Sequence, residues 1–170
     1  MNLSIDLNNY SLINTFFLDT KENIIMEGKF TKIIYSNQWF TINGIYINIL
    51  LDSITIERIM NKQYLQFNPY SINNIKIIKE LSKIENKILE YYNNYYSNNS
   101  KTTNLLEKQL YNGNIKIFKE YLDNKLLNNK LIEKNETKHY ILKISGVWEN
   151  YNEIGITYKL LESGNLLKNT

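Results

Sequence analysis

Apolar positions along this chain change period twice. Up to Phe67 they come in short alternating runs. From Ile77 to Tyr95 they recur every third or fourth residue, and from Asn114 onward they alternate again. Alternation sends successive side chains to opposite faces of a strand, whereas the longer spacing draws one stripe along a helix. The predicted order is strands, one long helix, then more strands.

In the first β region, "SLINTFFLD" (residues 11–19) predicts an opening strand. Residues 28–53, "GKFTKIIYSNQWFTINGIYINILLDS", are divided at Ser36-Asn37-Gln38 and at Asn43-Gly44. Asn-Gly between β-branched and aromatic runs predicts a two-residue hairpin turn, because both turn positions need positive φ. One long strand with a bulge at Gly44 fits the same residues. "ITIERIM" and "QYLQF", separated by Asn61-Lys62, predict a further short pair, and Pro69 closes the region.

The spacing then predicts a helix over residues 72–96, with Ser71 as its N-cap. Its stripe is Ile77, Leu81, Ile84, Ile88, Tyr91 and Tyr95, and Lys76, Lys79, Glu80, Lys83, Glu90 and Asn94 face water. The polar segment 97–104 reads as a mobile loop, with Thr103 capping a short helix through "NLLEKQLY". "NIKIFKEYL" predicts a strand, residues 123–138 a second mobile loop, and "SGNLLKNT" a frayed tail. The fold class expected is α+β in a single domain, residues 1–170. It is an antiparallel β-meander or small barrel covered by the one long amphipathic helix.

The last pattern before the tail is "YILKISGVW" followed by a polar turn and "IGITYKLL". Alternation puts Tyr140, Leu142, Ile144, Gly146 and Trp148 on one face of the first strand, and Ile141, Lys143, Ser145 and Val147 on the other. In the second strand Ile154, Ile156, Tyr158 and Leu160 share a face, opposite Gly155, Thr157, Lys159 and Leu161. Each strand thus has an apolar face, and a small or basic face centred on Lys143, Ser145, Thr157 and Lys159. Lysines neutralise phosphates and hydroxyls donate to them, so the second face suits a nucleic-acid backbone. Lys32 and Arg58 are expected to add phosphate contacts. Trp39 and Trp148 are each either a stacking surface for bases or a lid on the core.

Composition tempers this reading. The chain of 170 residues holds 28 Asn, 26 Ile and 14 Tyr, no Ala or Cys, and Arg58 as its only Arg. Asn, Ile, Lys and Tyr have AT-rich codons, so an abundance of Lys reports the genome first, and an ordinary Lys here is a solvated surface residue. A net charge of +3 permits nucleic-acid contact without requiring it. Lack of Cys excludes disulfides and thiolate chemistry and fits a reducing compartment. No secretory signal and no apolar run of about 20 residues is present, so a soluble intracellular protein with no membrane partner is expected. His139 stands alone, no glycine-rich phosphate loop occurs, and no Ser/His/Asp set is visible. Neither catalysis nor a metal or other cofactor is expected.

The meander "FTKIIYSNQWFTINGIYINILL" and the hairpin "ILKISGVWENYNEIGITYKLL" together resemble conserved, mostly uncharacterised proteins of nucleocytoplasmic large DNA viruses. Such viruses encode OB-fold single-stranded-DNA-binding proteins similar to one from a T-odd phage. The order of meander, long helix and further strands is compatible with OB topology. Proteins of that type usually end in an acidic tail, whereas this sequence ends "ESGNLLKNT". The resemblance implies a non-enzymatic protein that binds single-stranded nucleic acid in viral genome replication or packaging, in the host cytoplasm, a viral factory or the virion. The rival expectation is a structural or interaction protein, a virion component or scaffold that forms homo-oligomers or binds viral partners and has no nucleic-acid role.

Overall fold

The computed structural model describes residues 3–118 and 139–162. The expected loop at 123–138, the end of the "NIKIFKEYL" strand and the C-terminal tail lie outside the described residues.

Among the described residues eleven strands form one sheet: β1 (Ile5–Asp6), β2 (Thr15–Glu22), β3 (Lys29–Ser36), β4 (Thr41–Ile42), β5 (Ile45–Ile49), β6 (Thr55–Ile59), β7 (Lys62–Gln66), β8 (Lys101–Thr102), β9 (Asn114–Phe118), β10 (Tyr140–Glu149) and β11 (Glu153–Glu162). The helices are α1 (Ile72–Tyr96) and α2 (Leu105–Tyr111). The sheet runs β1-β5-β10-β11-β9-β7-β6, with β2 and β4 flanking β3, and β8 on β11. Mixed α+β with a long covering helix is what the periodicity predicts. The expected meander or small barrel is corrected on two points. Among the described residues the path does not close into a barrel, and three pairings are parallel: β1 with β5, β8 with β11 and β9 with β11.

The Asn43-Gly44 turn also departs from expectation. β4 bonds to β3 and β5 bonds to β10, so the two runs flanking the turn are not paired with each other. Gly44 has φ +102°, and a Cβ there would lie 2.7 Å from the Ile144 carbonyl oxygen. Glycine is required where the chain leaves one ladder and enters the next against a neighbouring backbone. As a result β3 and β5 lie end to end along β10: Lys29 to Lys32 pair with its C-terminal half and Ile45 to Ile49 with its N-terminal half.

The helix α1 lies across one face of this sheet. Ser71 caps it, its side chain accepting from the Asn74 N–H. Leu81, Ile84 and Ile88 of the predicted stripe are buried, and the six residues assigned to water are exposed. A second row, Asn74, Ile78, Ser82, Glu85, Leu89 and Tyr92, is buried beside the stripe. Tyr95, predicted to be covered, is instead 59% exposed. The Tyr92 hydroxyl reaches Thr31 of β3 at 3.0 Å and donates to Glu149 of β10 at 3.0 Å. Burial pushes that phenol up to about 12, so it stays a donor over the ordinary pH range.

Glu85, fully buried, joins the two helices. Its carboxylate accepts from the Leu106 N–H at 3.1 Å and the Glu107 N–H at 2.8 Å. The first N–H groups of a helix lack intrahelical partners, so Glu85 caps α2 from another element. Thr103 does not make the expected cap, because its hydroxyl donates to Glu153. Within the segment read as a mobile loop, Lys101 and Thr102 bridge to Glu153 and Ile154.

Candidate nucleic-acid interface

The β10–β11 hairpin forms as predicted, with Lys143 directly opposite Lys159. One residue breaks the alternation. Ile144 pairs with Tyr158 and Gly146 with Thr157, so Ser145 is an extra residue in β10. A bulge of this kind inverts the facing of everything beyond it. Tyr140, Leu142 and Ile144 face α1, but after the bulge Val147 joins the same buried core. Gly146 and Trp148 therefore turn to the opposite face, the one that carries Lys143. The expectation that Trp148 shares a face with Leu142 is corrected, and so is the placing of Val147 with Lys143.

The bulge brings together a larger set than the hairpin alone suggested. Lys32 pairs with Gly146, and Phe30 pairs with Trp148. Both alternate with Thr31 and Ile33, which face the helix and are buried, so Phe30 and Lys32 lie on the Lys143 face. Across the sheet, the Lys143 ammonium sits 4.9 Å from the ring centre of Tyr46 in β5, its register partner. Lys159 lies 5.2 Å from the ring of Phe118 in β9, and Lys116 lies 4.3 Å from the same ring. Cations over ring faces are held by the ring quadrupole, at about 0.5–1 kcal/mol each where exposed.

Two glycines let the rings lie close to the sheet. A Cβ on Gly155 would come within 2.4 Å of the Trp148 indole, and one on Gly146 within 2.5 Å of the Phe30 ring. The indole thus packs over the Gly155 backbone, and it is only half-buried. At the other end of this face Ile141 and Leu161, directly opposed, are both buried and bound the exposed area. Glu57 stands on the same face out at edge strand β6, opposite Tyr64, and is bonded by Gln66.

The remaining predicted residues are not in this set. Arg58 pairs with Gln63, two positions from the Ile56–Leu65 pair. Leu65 is core, so Arg58 belongs to the helix side of an edge strand and is separated from Lys143 by the sheet. Trp39 is 80% exposed in the turn between β3 and β4, its N–H bonded to Asn37 Oδ1 at 2.8 Å. It is no lid on the core. Phe30, Tyr46, Lys116 and Phe118 were missed, although alternation in "GKFTK" and "NIKIF" marks Phe30, Lys32, Lys116 and Phe118 as outward once the core face is known.

Among the described residues no three His, Asp or Glu side chains gather as a metal site, and no helix is long and apolar enough to cross a membrane. Compared with known protein families, curated proteins and solved structures, the chain matches none.

Proposed function

We propose that the sheet face opposite α1 binds single-stranded nucleic acid, without catalysing a reaction on it. The observation that carries this reading is the alternation of cations and rings across adjacent strands: Tyr46, Lys143, Lys159 and Phe118, with Phe30 and Trp148 beside them. Unpaired bases offer flat faces to aromatic side chains, at about 1–3 kcal/mol per stacked base. Lys32, Lys143 and Lys159 supply the phosphate contacts, and Thr157 donates from between them. A sheet covered by helices on one side and studded with aromatics on the other is also how one common class of RNA-binding modules presents its surface. This is an analogy of arrangement. A role in viral genome replication or packaging rests on the resemblance of the meander and hairpin alone.

Titration with oligo-dT and oligo-U, followed by tryptophan fluorescence, tests the proposal. Stacking on Trp148 quenches its emission. Three phosphate contacts on a single strand give a slope of log affinity against log salt of roughly −2. Unchanged fluorescence at low salt, with no binding by a second method, removes the proposal.

A further inference from the structure

The hairpin joining β2 to β3 ends in an unusual tip, Asn23-Ile24-Ile25-Met26-Glu27-Gly28. Ile24 and Ile25 are 97% and 90% exposed, and Met26 is exposed beside them. Tight turns are ordinarily built from Gly, Asn, Asp, Ser and Pro, for reasons of backbone geometry. Here the turn is made by Asn23, whose N–H donates to the Gly28 carbonyl at 2.9 Å and whose Oδ1 accepts from the Ile25 N–H at 3.0 Å. The two isoleucines have no core beneath them.

The tip is nevertheless fixed at its base. Gly28 has φ +126°, and a Cβ there would fall 2.1 Å from the Glu149 carbonyl oxygen, so the hairpin is seated against the end of β10. The Tyr151 hydroxyl of the β10–β11 turn donates to Glu27 at 3.0 Å. Phe30 faces Trp148 and Lys29 faces Glu149, so the chain reaches Gly28 two residues beyond the ring pair. At about 3.3 Å per residue that is roughly 7 Å past the edge of the basic, aromatic face.

We infer that this apolar tip is a wedge for the junction at which a duplex opens into the single strand held on that face, an inference that rests on the nucleic-acid reading above. Ile and Met side chains are among those that enter between base steps and unstack them. A wedge needs an uncharged point with cations behind it to hold the strands. Lys21 pairs with Phe30, and Lys32 lies two residues along β3 from Phe30, which supplies those cations. A lipid surface is a poorer occupant. Segments that settle on anionic membranes surround their apolar residues with basic ones, whereas here Glu22 and Glu27 stand at the base of the tip and the cations Lys21 and Lys32 lie to one side, with Phe30 on the strand-binding face.

The variant Ile24→Ser/Ile25→Ser changes only exposed side chains and leaves the fold intact. Two DNA probes decide the matter: oligo-dT, and a fork carrying the same single-stranded tail with 2-aminopurine in its first base pair. The parent is expected to bind the fork about tenfold more tightly than the tail and to brighten the 2-aminopurine. The variant should keep its affinity for the tail within about twofold and lose both fork effects. A parent that binds the tail but gains nothing from the fork, or a variant that retains the gain, overturns the wedge and leaves single-strand binding standing. A parent that binds neither probe overturns both.

Discussion

Lys143 and Lys159 stand directly opposite each other on neighbouring antiparallel strands, and each lays its ammonium toward an aromatic ring on the side away from the other. Like charges opposed across a ladder repel, at a cost on the order of 0.2–1 kcal/mol. Tyr46 and Phe118 draw the two charges apart and offset that cost. Exchanging both lysines for Glu preserves the like-charge opposition but turns attraction for phosphate into repulsion. Affinity for a single strand should fall at least about tenfold at moderate salt, and the salt slope should shrink by about two phosphate contacts' worth. Lys159→Glu alone creates an opposite-charge pair with Lys143. Its stability should therefore stay within about 0.5 kcal/mol of the parent while affinity still drops. Binding by the folded double variant equal to the parent's would rule this face out.

Gly155 is expected to be intolerant for a reason seen only in three dimensions. An added methyl would occupy the space of the Trp148 indole, 2.4 Å from its nearest ring atom. Gly155→Ala should displace the indole and cost about 1–3 kcal/mol, the range for overpacking a filled site. The emission maximum should shift red as Trp148 moves toward water, and stacking on the displaced ring should weaken. An unaltered spectrum would mean that the indole does not lie over this glycine.

Local patterns were readable in the sequence and non-local ones were not. Both ends of α1 and the β10–β11 pairing follow from caps, turns and periodicity that act within a few residues. The second buried row of α1 escaped an apolar search because three of its members, Asn74, Ser82 and Glu85, are polar. They are buried where α1 meets other segments: Asn74 bonds the backbone of Asp52 and Asn68, and Glu85 caps α2. The facing of Trp148 depends on the bulge at Ser145, which falls where β10 changes partner from β5 to β3. Nothing local marks a change of partner, so alternation carried through it gave Trp148 the wrong face. Arg58 falls away from Lys143 for a related reason: its strand was predicted, but the side of the sheet on which it lies is set by pairing with Gln63.

The two rows of α1 can be told apart by truncation. Ile78 is fully buried and Ile77 only half-buried, although the 4-3-4 spacing of the first row favours Ile77. Ile78→Ala should cost about 2–5 kcal/mol, the usual range for removing a buried aliphatic side chain. Ile77→Ala should cost distinctly less. Urea unfolding of the two variants provides the comparison, and a larger loss at Ile77 would mean that the helix is rotated about its axis from the position described.

Glu85 gives the fold a pH dependence of predictable sign. Burial raises its carboxyl above the usual carboxylate range, and the Glu107 and Leu106 N–H groups offset only part of that rise. The nearby Glu107 carboxylate adds to it, and the Glu85 charge in turn raises the Tyr158 phenol, itself pushed up chiefly by burial. An acid whose pKa is higher folded than unfolded leaves the folded state with more bound protons between the two values. Stability from this group is thus complete below the unfolded value, about 4.3, and is lost as pH rises through the raised folded value. Glu85→Gln removes the titration and keeps the shape. Its amide oxygen can serve one N–H of α2, but its NH2 confronts the other, leaving a buried donor unpaired at a cost of about 1–3 kcal/mol. Denaturant unfolding from pH 4 to pH 8 should show the variant least stable relative to the parent at the acid end. The gap should narrow as pH rises through the folded value of Glu85 and stay constant above it. A gap that widens with pH would show that the two N–H bonds outweigh burial, and that the carboxyl is held below the usual range.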